Sequence, residues 1–198
     1  MGVEKRMADR CNTIRLYSFQ TDVVYQVLKR DGVCYSKEEY VRKKYKESAK
    51  VFINAYGWFV KEAQYIVPKP EGAEYPYWAF TDLYNVDQTG DGHVLTLDVP
   101  IGEAILFDMF DWTKIMQMHY IGENESEESA FSEELKNMGM NEFQIMTSNF
   151  YPEQKARIQE SWKRLFGHQQ AIEAGDNSGV HSVQAGLWCI KDEWIVKE

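Results

Sequence analysis

The chain is 198 residues long, and 22 Lys+Arg against 31 Asp+Glu leave a net charge of −9, which works against sequence-independent nucleic-acid binding and against adsorption to an anionic membrane. A composition of 44% hydrophobic and 14% aromatic residues supplies the apolar surface for one packed core and excludes a wholly disordered chain. The cysteines, Cys11, Cys34 and Cys189, form no CxxC pair, so they signal neither a disulfide framework nor a zinc site and predict a cytoplasmic setting without metal; no leader pattern and no apolar run of roughly 18 residues is expected to tie the chain to a membrane.

Thr13 to Phe19 reads as a strand from its β-branched and aromatic content. Thr21 is placed to cap a short helix through Val23, Val24, Val27 and Leu28, which Gly32 stops after Lys29 and Arg30. A capping box at Ser36 to Glu39 opens a long helix, with Tyr40, Tyr45, Ala49, Phe52, Ile53, Tyr56, Val60 and Ala63 on one face and Pro68 as its end. Tyr77 to Tyr84 reads as a strand joined to His93–Val99 in a hairpin through the turn Asp87 to Gly92. That loop lacks the oxygen spacing and the closing Glu of a calcium loop.

Glu103 to Phe107 is a further short strand, and Asp108 to Ile121 has a helical period. Asp108 and Asp111 stand three apart, which on a helix sets two carboxylates on one face as acid–base or metal chemistry requires. They read first as an N-cap and a first-turn charge. Gly122 to Glu128 is an acidic, loop-like tract, and helices are expected over 129–138 and 141–150. Pro152 opens a last helix that Gly167 closes, Gly175 to Gly179 is a turn cluster, and Val183 to Ile190 and Glu193 to Val196 are the final strands.

Strands and helices do not alternate, so the expected class is α+β in a single domain over 1–198, with sheet-forming parts at 13–107 and 181–197 and a helical insertion at 108–167. No glycine-rich phosphate loop, zincin helix or nucleophile elbow is present, and His93, His119, His168 and His181 are scattered at no ligand spacing.

Arg15 to Phe19, the short helix and Gly32, together with Ser182 to Trp188, resemble the opening and closing segments of the ADP-ribosyltransferase fold. Over its whole length the chain is also similar to a bacterial and phage family known only as a domain of unknown function. The first resemblance rests on residues 13–34 and 181–197. It implies a split mixed or antiparallel sheet with inserted helices, NAD or a related nucleotide as ligand, and transfer of ADP-ribose to a macromolecule such as a protein target. Carried onto this chain, Arg15 would meet the NAD phosphates or the adenosine ribose, and Tyr17, Ser18 and Gln20 would join the same ligand site. Tyr77 or Trp78 would stack on the nicotinamide. Gln184 matches the polar residue of the closing strand, and Gly186 stands where the family carries its catalytic Glu. Asp192 or Glu193 would then have to supply the acid, so Gln184 and Asp192 are the candidate catalytic residues.

Arg15, Tyr17, Ser18 and Gln184 are expected to converge on one cleft. Each also has a purely structural reading: Arg15 as a surface ion pair, Trp78 as core, Gln184 as a partner for buried backbone. The competing expectation for the chain is a non-catalytic acidic interaction protein or inhibitor that engages a basic or nucleic-acid-binding partner through a negative face.

Overall fold

A computed structural model describes residues 12–45 and 49–197, with the side chains of residues 41 and 43–52 outside the description. Cys11, the middle of the expected long helix and the side chains of Tyr45, Ala49 and Phe52 therefore lie outside the described residues. Five strands form an antiparallel sheet in the order β4-β1-β3-β6-β5, where β1 is Thr13–Gln20, β3 Tyr77–Phe80, β4 His93–Pro100, β5 Ile105–Asp108 and β6 Val183–Leu187. A separate ribbon pairs β2, Val33–Tyr35, with β7, Cys189–Lys191. The architecture is a mixture of helices and antiparallel sheet.

The expected hairpin between Tyr77–Tyr84 and His93–Val99 does not form. β1 lies between β3 and β4, pairing with β4 along its whole length from Thr13 opposite Pro100 to Gln20 opposite His93. Alternation along β1 explains the fit: Leu16 and Ser18 are buried on one face while Arg15 is exposed on the other. The expected strand Val183–Ile190 is likewise divided, since β6 belongs to the large sheet and β7 to the ribbon.

Each face of the large sheet carries a core. One carries an aromatic core in which Phe59, Phe107, Trp112 and Trp162 are buried, and the other carries Leu16, Leu28, Leu97, Leu187 and Ile190. Burying side chains of this size contributes about 1.5–3 kcal/mol each before conformational entropy is set against it.

The helices show which local signals held. Helix α1, Asp22–Asp31, stops at Gly32 in the left-handed region with φ 76°, whose N–H reaches Leu28 O. Helices α2, Glu38–Tyr45, and α3, Ala49–Ala63, occupy the expected long-helix segment. Ser36 is not their cap; it pairs with Tyr75 in a β-bridge, and the Glu74 carboxylate accepts from Glu38 N instead. Helix α4, Met109–Met116, is capped by Asp108, which accepts from Phe110 N at 3.0 Å. It ends before Ile121 because Met118 turns left-handed, φ 64°, and is fully buried there.

The acidic tract is the start of a helix rather than a loop. Asn124 caps α5, Glu125–Asn137, and places Glu125, Glu127 and Glu128 in its first turn, at the positive end of the dipole. Glu128 accepts from Lys114 and Gly122 N, and Glu127 from Tyr120 OH and Glu123 N. Helix α6, Glu142–Thr147, is shorter than expected, and α7, Pro152–Ser161, starts on its proline and runs through a 3₁₀ segment, Trp162–His168, into α8, Gln169–Glu173. Among the described residues, no helix is long and apolar enough to cross a membrane.

Candidate functional site

A cleft of about 800 Å³ opens where β1 and β3 part. The two strands meet with Tyr17 opposite Phe80. Beyond that point a side chain spans the gap: Ser18 Oγ donates to the Trp78 carbonyl at 2.7 Å. Gln20 Nε2 in turn donates to Ser18 Oγ at 2.8 Å. Because the Ser18 proton is committed to Trp78, the hydroxyl accepts from Gln20. This commits the amide nitrogen and leaves Oε1 as the acceptor of the Gln20 side chain.

Aromatic rings form much of the lining: Phe19, Tyr40, Tyr56, Tyr77, Trp78 and Phe80. Trp78 is half-buried and fixed, its Nε1 donating to Tyr56 OH at 2.8 Å and its ring set 4.7 Å from that of Trp112. Tyr77 faces the opposite core, where its hydroxyl donates to Cys34 Sγ at 3.1 Å and burial pushes its pKa well above the usual phenol range. The amino end of α1, Thr21 to Val24, forms one side, and Asn85 to Asp91 forms the other. Gly92 fixes this second side to β1, since a Cβ there would stand 2.4 Å from Gln20 O.

Among the described lining residues the charged groups are Asp87 and Asp91. Asp87 Oδ1 accepts from Thr89 N and from Thr89 Oγ1, which shapes the loop.

The structure thus gathers Gln20, Tyr77 and Trp78 around one opening, with the buried Ser18 behind it bonded to Gln20 and to the Trp78 carbonyl, and leaves the other candidates elsewhere. Arg15 and Tyr17 line a separate groove of about 540 Å³ at the β4 edge, with Tyr25, His93, Thr96 and Ile195. The Arg15 guanidinium is held by Asp98 through two contacts, 2.5 and 3.1 Å, and this pairing raises its pKa. Gln184 is buried in β6 between Phe80 and Phe107 of the flanking strands. Asp192 accepts from Lys29 Nζ at 2.8 Å, which holds its pKa below the usual carboxylate value, and it does not line the cleft. The expected meeting of Arg15, Tyr17, Ser18 and Gln184 does not occur.

Gly186, where the resemblance set the expectation of a glutamate, lies under the aromatic core. A Cβ there would stand 2.8 Å from Phe59 Cζ, so β6 has no room for an acid at this point. Asp87 to Gly92, weighed in the sequence as a calcium loop and read as a hairpin turn, instead lies beside the end of β1 and lines the cleft; no local signal marks that placement. The Tyr56 contact to Trp78 spans 22 residues and has no local signature. Among the described residues no group of three or more His, Cys, Asp or Glu is placed to hold a metal.

The sequence model of one family, described as Domain of unknown function (DUF3841), matches residues 15–196. No curated protein and no solved structure matches the chain.

Proposed function

The chain belongs to the DUF3841 family, and from that premise we propose that its cleft binds the nicotinamide end of NAD or of a related nucleotide, on an ADP-ribosyltransferase-like sheet. The observation that carries this reading is the Gln20–Ser18–Trp78 relay at the parting of β1 and β3. It sets an oriented amide beside a half-buried indole, the pairing of polar handle and flat apolar wall that a carboxamide-bearing ring requires. A volume of about 800 Å³ is in the range of small-molecule sites. The amino end of α1 supplies positive potential along the lining, where a phosphate finds backbone N–H groups.

Binding is the first part of the proposal, and transfer of ADP-ribose is the second. Transfer needs a carboxylate near the anomeric carbon, where positive charge develops as nicotinamide leaves. With Gly186 closed off by Phe59, the carboxylates available to the cleft among its described lining residues are Asp87 and Asp91.

The test is calorimetric titration of the full chain with NAD, repeated on Gln20→Ala and on Arg15→Ala, each checked for folding. Saturable binding that Gln20→Ala weakens at least tenfold and Arg15→Ala retains is the expected result. No heat up to millimolar NAD overturns the reading.

A further inference from the structure

The His181 imidazole and the Asp108 carboxylate make a second polar arrangement, and neither residue is among the described lining residues of the cleft. Asp108 closes β5 with its side chain 5% exposed, whereas the His181 side chain is 73% exposed. The carboxylate accepts from His181 N and Phe110 N at 3.0 Å and from Ser182 N at 3.4 Å, and it meets His181 Nδ1 at 2.8 Å. These donors hold its pKa below the usual carboxylate range in spite of burial. An ionised carboxylate can only accept, so Nδ1 carries the proton of this bond. The neutral ring then keeps its lone pair on Nε2, which the bond does not use.

We propose that His181 Nε2 is a phosphoryl acceptor, taking the group from a donor in which phosphorus is bound to nitrogen and holding it as phosphohistidine. The ring is oriented before a reactant arrives. Phe110, half-exposed on the first turn of α4, stacks on it with centroids 4.8 Å apart. The backbone beside it is fixed where Ser182 O accepts from Met109 N at 2.8 Å and Ser182 Oγ from Asn85 Nδ2 at 2.7 Å. In the transfer the Nε2 lone pair forms the new N–P bond while the P–N bond of the donor breaks. The donor nitrogen, protonated beforehand, leaves with the electron pair as a neutral amine. Nδ1 keeps its proton, and the positive charge gained by the ring lies against Asp108. The open position of the ring suits a group passed between macromolecules. Water would remove an acyl group from an imidazole quickly, whereas a phosphoryl group on nitrogen persists, and the positive end of α4 favours its charge.

Two other histidines meet carboxylates in ways that suit this chemistry less. His119 bonds Glu142 through Nδ1 at 2.7 Å, and this bond raises its pKa, which favours a ring protonated on both nitrogens. His93 directs Nε2 itself to Asp22 at 2.8 Å.

The experiment treats the full chain with potassium phosphoramidate, maps the label on all four histidines by mass spectrometry without acid, and identifies the isomer by phosphorus NMR. The expected result is the Nε2 isomer on His181, formed roughly tenfold or more faster than any label on His119, and abolished by His181→Gln. Asp108→Asn keeps an acceptor for Phe110 N. It is expected to slow labelling roughly tenfold or more and to admit the Nδ1 isomer, a change that loss of the helix cap alone would not produce. Phe110→Ala leaves the carboxylate in place and should slow labelling less.

Absence of labelling, equal rates on His181 and His119, or a label that survives His181→Gln overturns the inference. So does an Asp108→Asn protein with the parent's rate and isomer. Should that variant not fold, the ranking of the histidines and the isomer formed in the parent chain decide the matter. Binding or rejection of NAD at the cleft leaves this inference as it is, because the two rest on different residues.

Discussion

Gly186→Ala is the substitution in which one methyl group interrogates the packing behind the cleft. Gly186 faces Trp78 across one strand pair and Ile105 across the other. A Cβ at this position lies 2.8 Å from Phe59 Cζ and 3.1 Å from Cε1, so the ring must withdraw by at least about 0.6 Å to reach ordinary contact. It has little room to do so. Phe59 is fully buried, with ring centroids of Trp78, Trp112 and Phe107 at 5.1, 5.3 and 5.6 Å. Overpacking of this kind costs about 1–3 kcal/mol, and the reduced freedom of an unfolded chain with Ala in place of Gly offsets about 0.5–1 kcal/mol. The middles of the two ranges leave an expected net loss of about 1 kcal/mol, or roughly 2–4 °C in Tm for a chain of this length. Urea unfolding with an unchanged slope measures it, and Phe59→Leu in the same chain should absorb part of the loss, so that the double variant is less destabilised than the two singles added. A Gly186→Ala protein as stable as the parent, or strict additivity with Phe59→Leu, refutes the packing argument. Gly186→Glu places a carboxylate in the same aromatic surroundings and should cost more than about 3 kcal/mol, so an acid at this point of β6 destabilises the protein.

Gly32→Ala tests backbone strain alone: φ is 76° and no heavy atom lies within 4 Å of the added Cβ, so a loss of about 1–2 kcal/mol is expected in urea unfolding. Asp108 and Asp111 should shift acid stability in opposite senses. Burial works to raise the Asp108 pKa, but donation from His181 N, Phe110 N, the His181 ring and Ser182 N outweighs it and lowers the value. Its contribution is therefore complete above the ordinary carboxylate range and fades as pH falls through the lower folded value, and Asp108→Asn should flatten that acid limb. Burial raises the Asp111 pKa, so its ionisation opposes folding as pH rises, and Asp111→Asn should gain stability at neutral pH relative to acid. For His119, the hydrogen bond to Glu142, 2.7 Å away, is the leading cause of a raised pKa. Its stabilisation is full below about pH 6.5 and is lost as pH rises through the higher folded value; His119→Gln should remove this slope from urea midpoints measured across neutral pH.

Elements fixed by nearby residues were legible in the chain. Gly32 ends α1, Asp108 caps α4, Pro152 opens α7, and Gly175 turns with φ 83°. Each depends on a few consecutive residues whose sterics or hydrogen bonding act locally. Asn124 with Glu127 three residues on was a readable cap as well, but the run of acidic residues drew attention to charge before position. What local reasoning could not supply was the choice of neighbour. Alternation in Tyr77–Phe80 and in His93–Pro100 tells which side chains share a face and is silent on whether the two strands pair. β1 takes the place between them because it pairs with β4 along its full length. Ser36 shows the same limit on a smaller scale, since the β-bridge to Tyr75 claims it and the distant Glu74 carboxylate supplies the contact to Glu38 N.

The pleat of β1 bears directly on the candidate site. Successive side chains on a strand point to opposite faces, so Arg15 and Tyr17 share one face while Ser18 turns to the other. The registers of Tyr17 with Phe80 and of Phe80 with Gln184 put Gln184 on the face of Tyr17. A site lying flat on one face of the sheet could therefore never have used all four. The cleft avoids this restriction because it sits where two strands separate rather than on a face. At that parting Phe19 and Gln20, consecutive residues, both reach the same space, as do Tyr77 and Trp78. The same geometry explains where an acid can enter. β6 presents Gly186 to Phe59 and is closed, whereas the loop ahead of β4 is held against the end of β1 by Gly92 and brings Asp87 and Asp91 to the rim. Among the described lining residues the carboxylates come from this loop, so substitutions at Asp87 and Asp91, rather than at Gln184 or Asp192, are the ones expected to alter what the cleft binds.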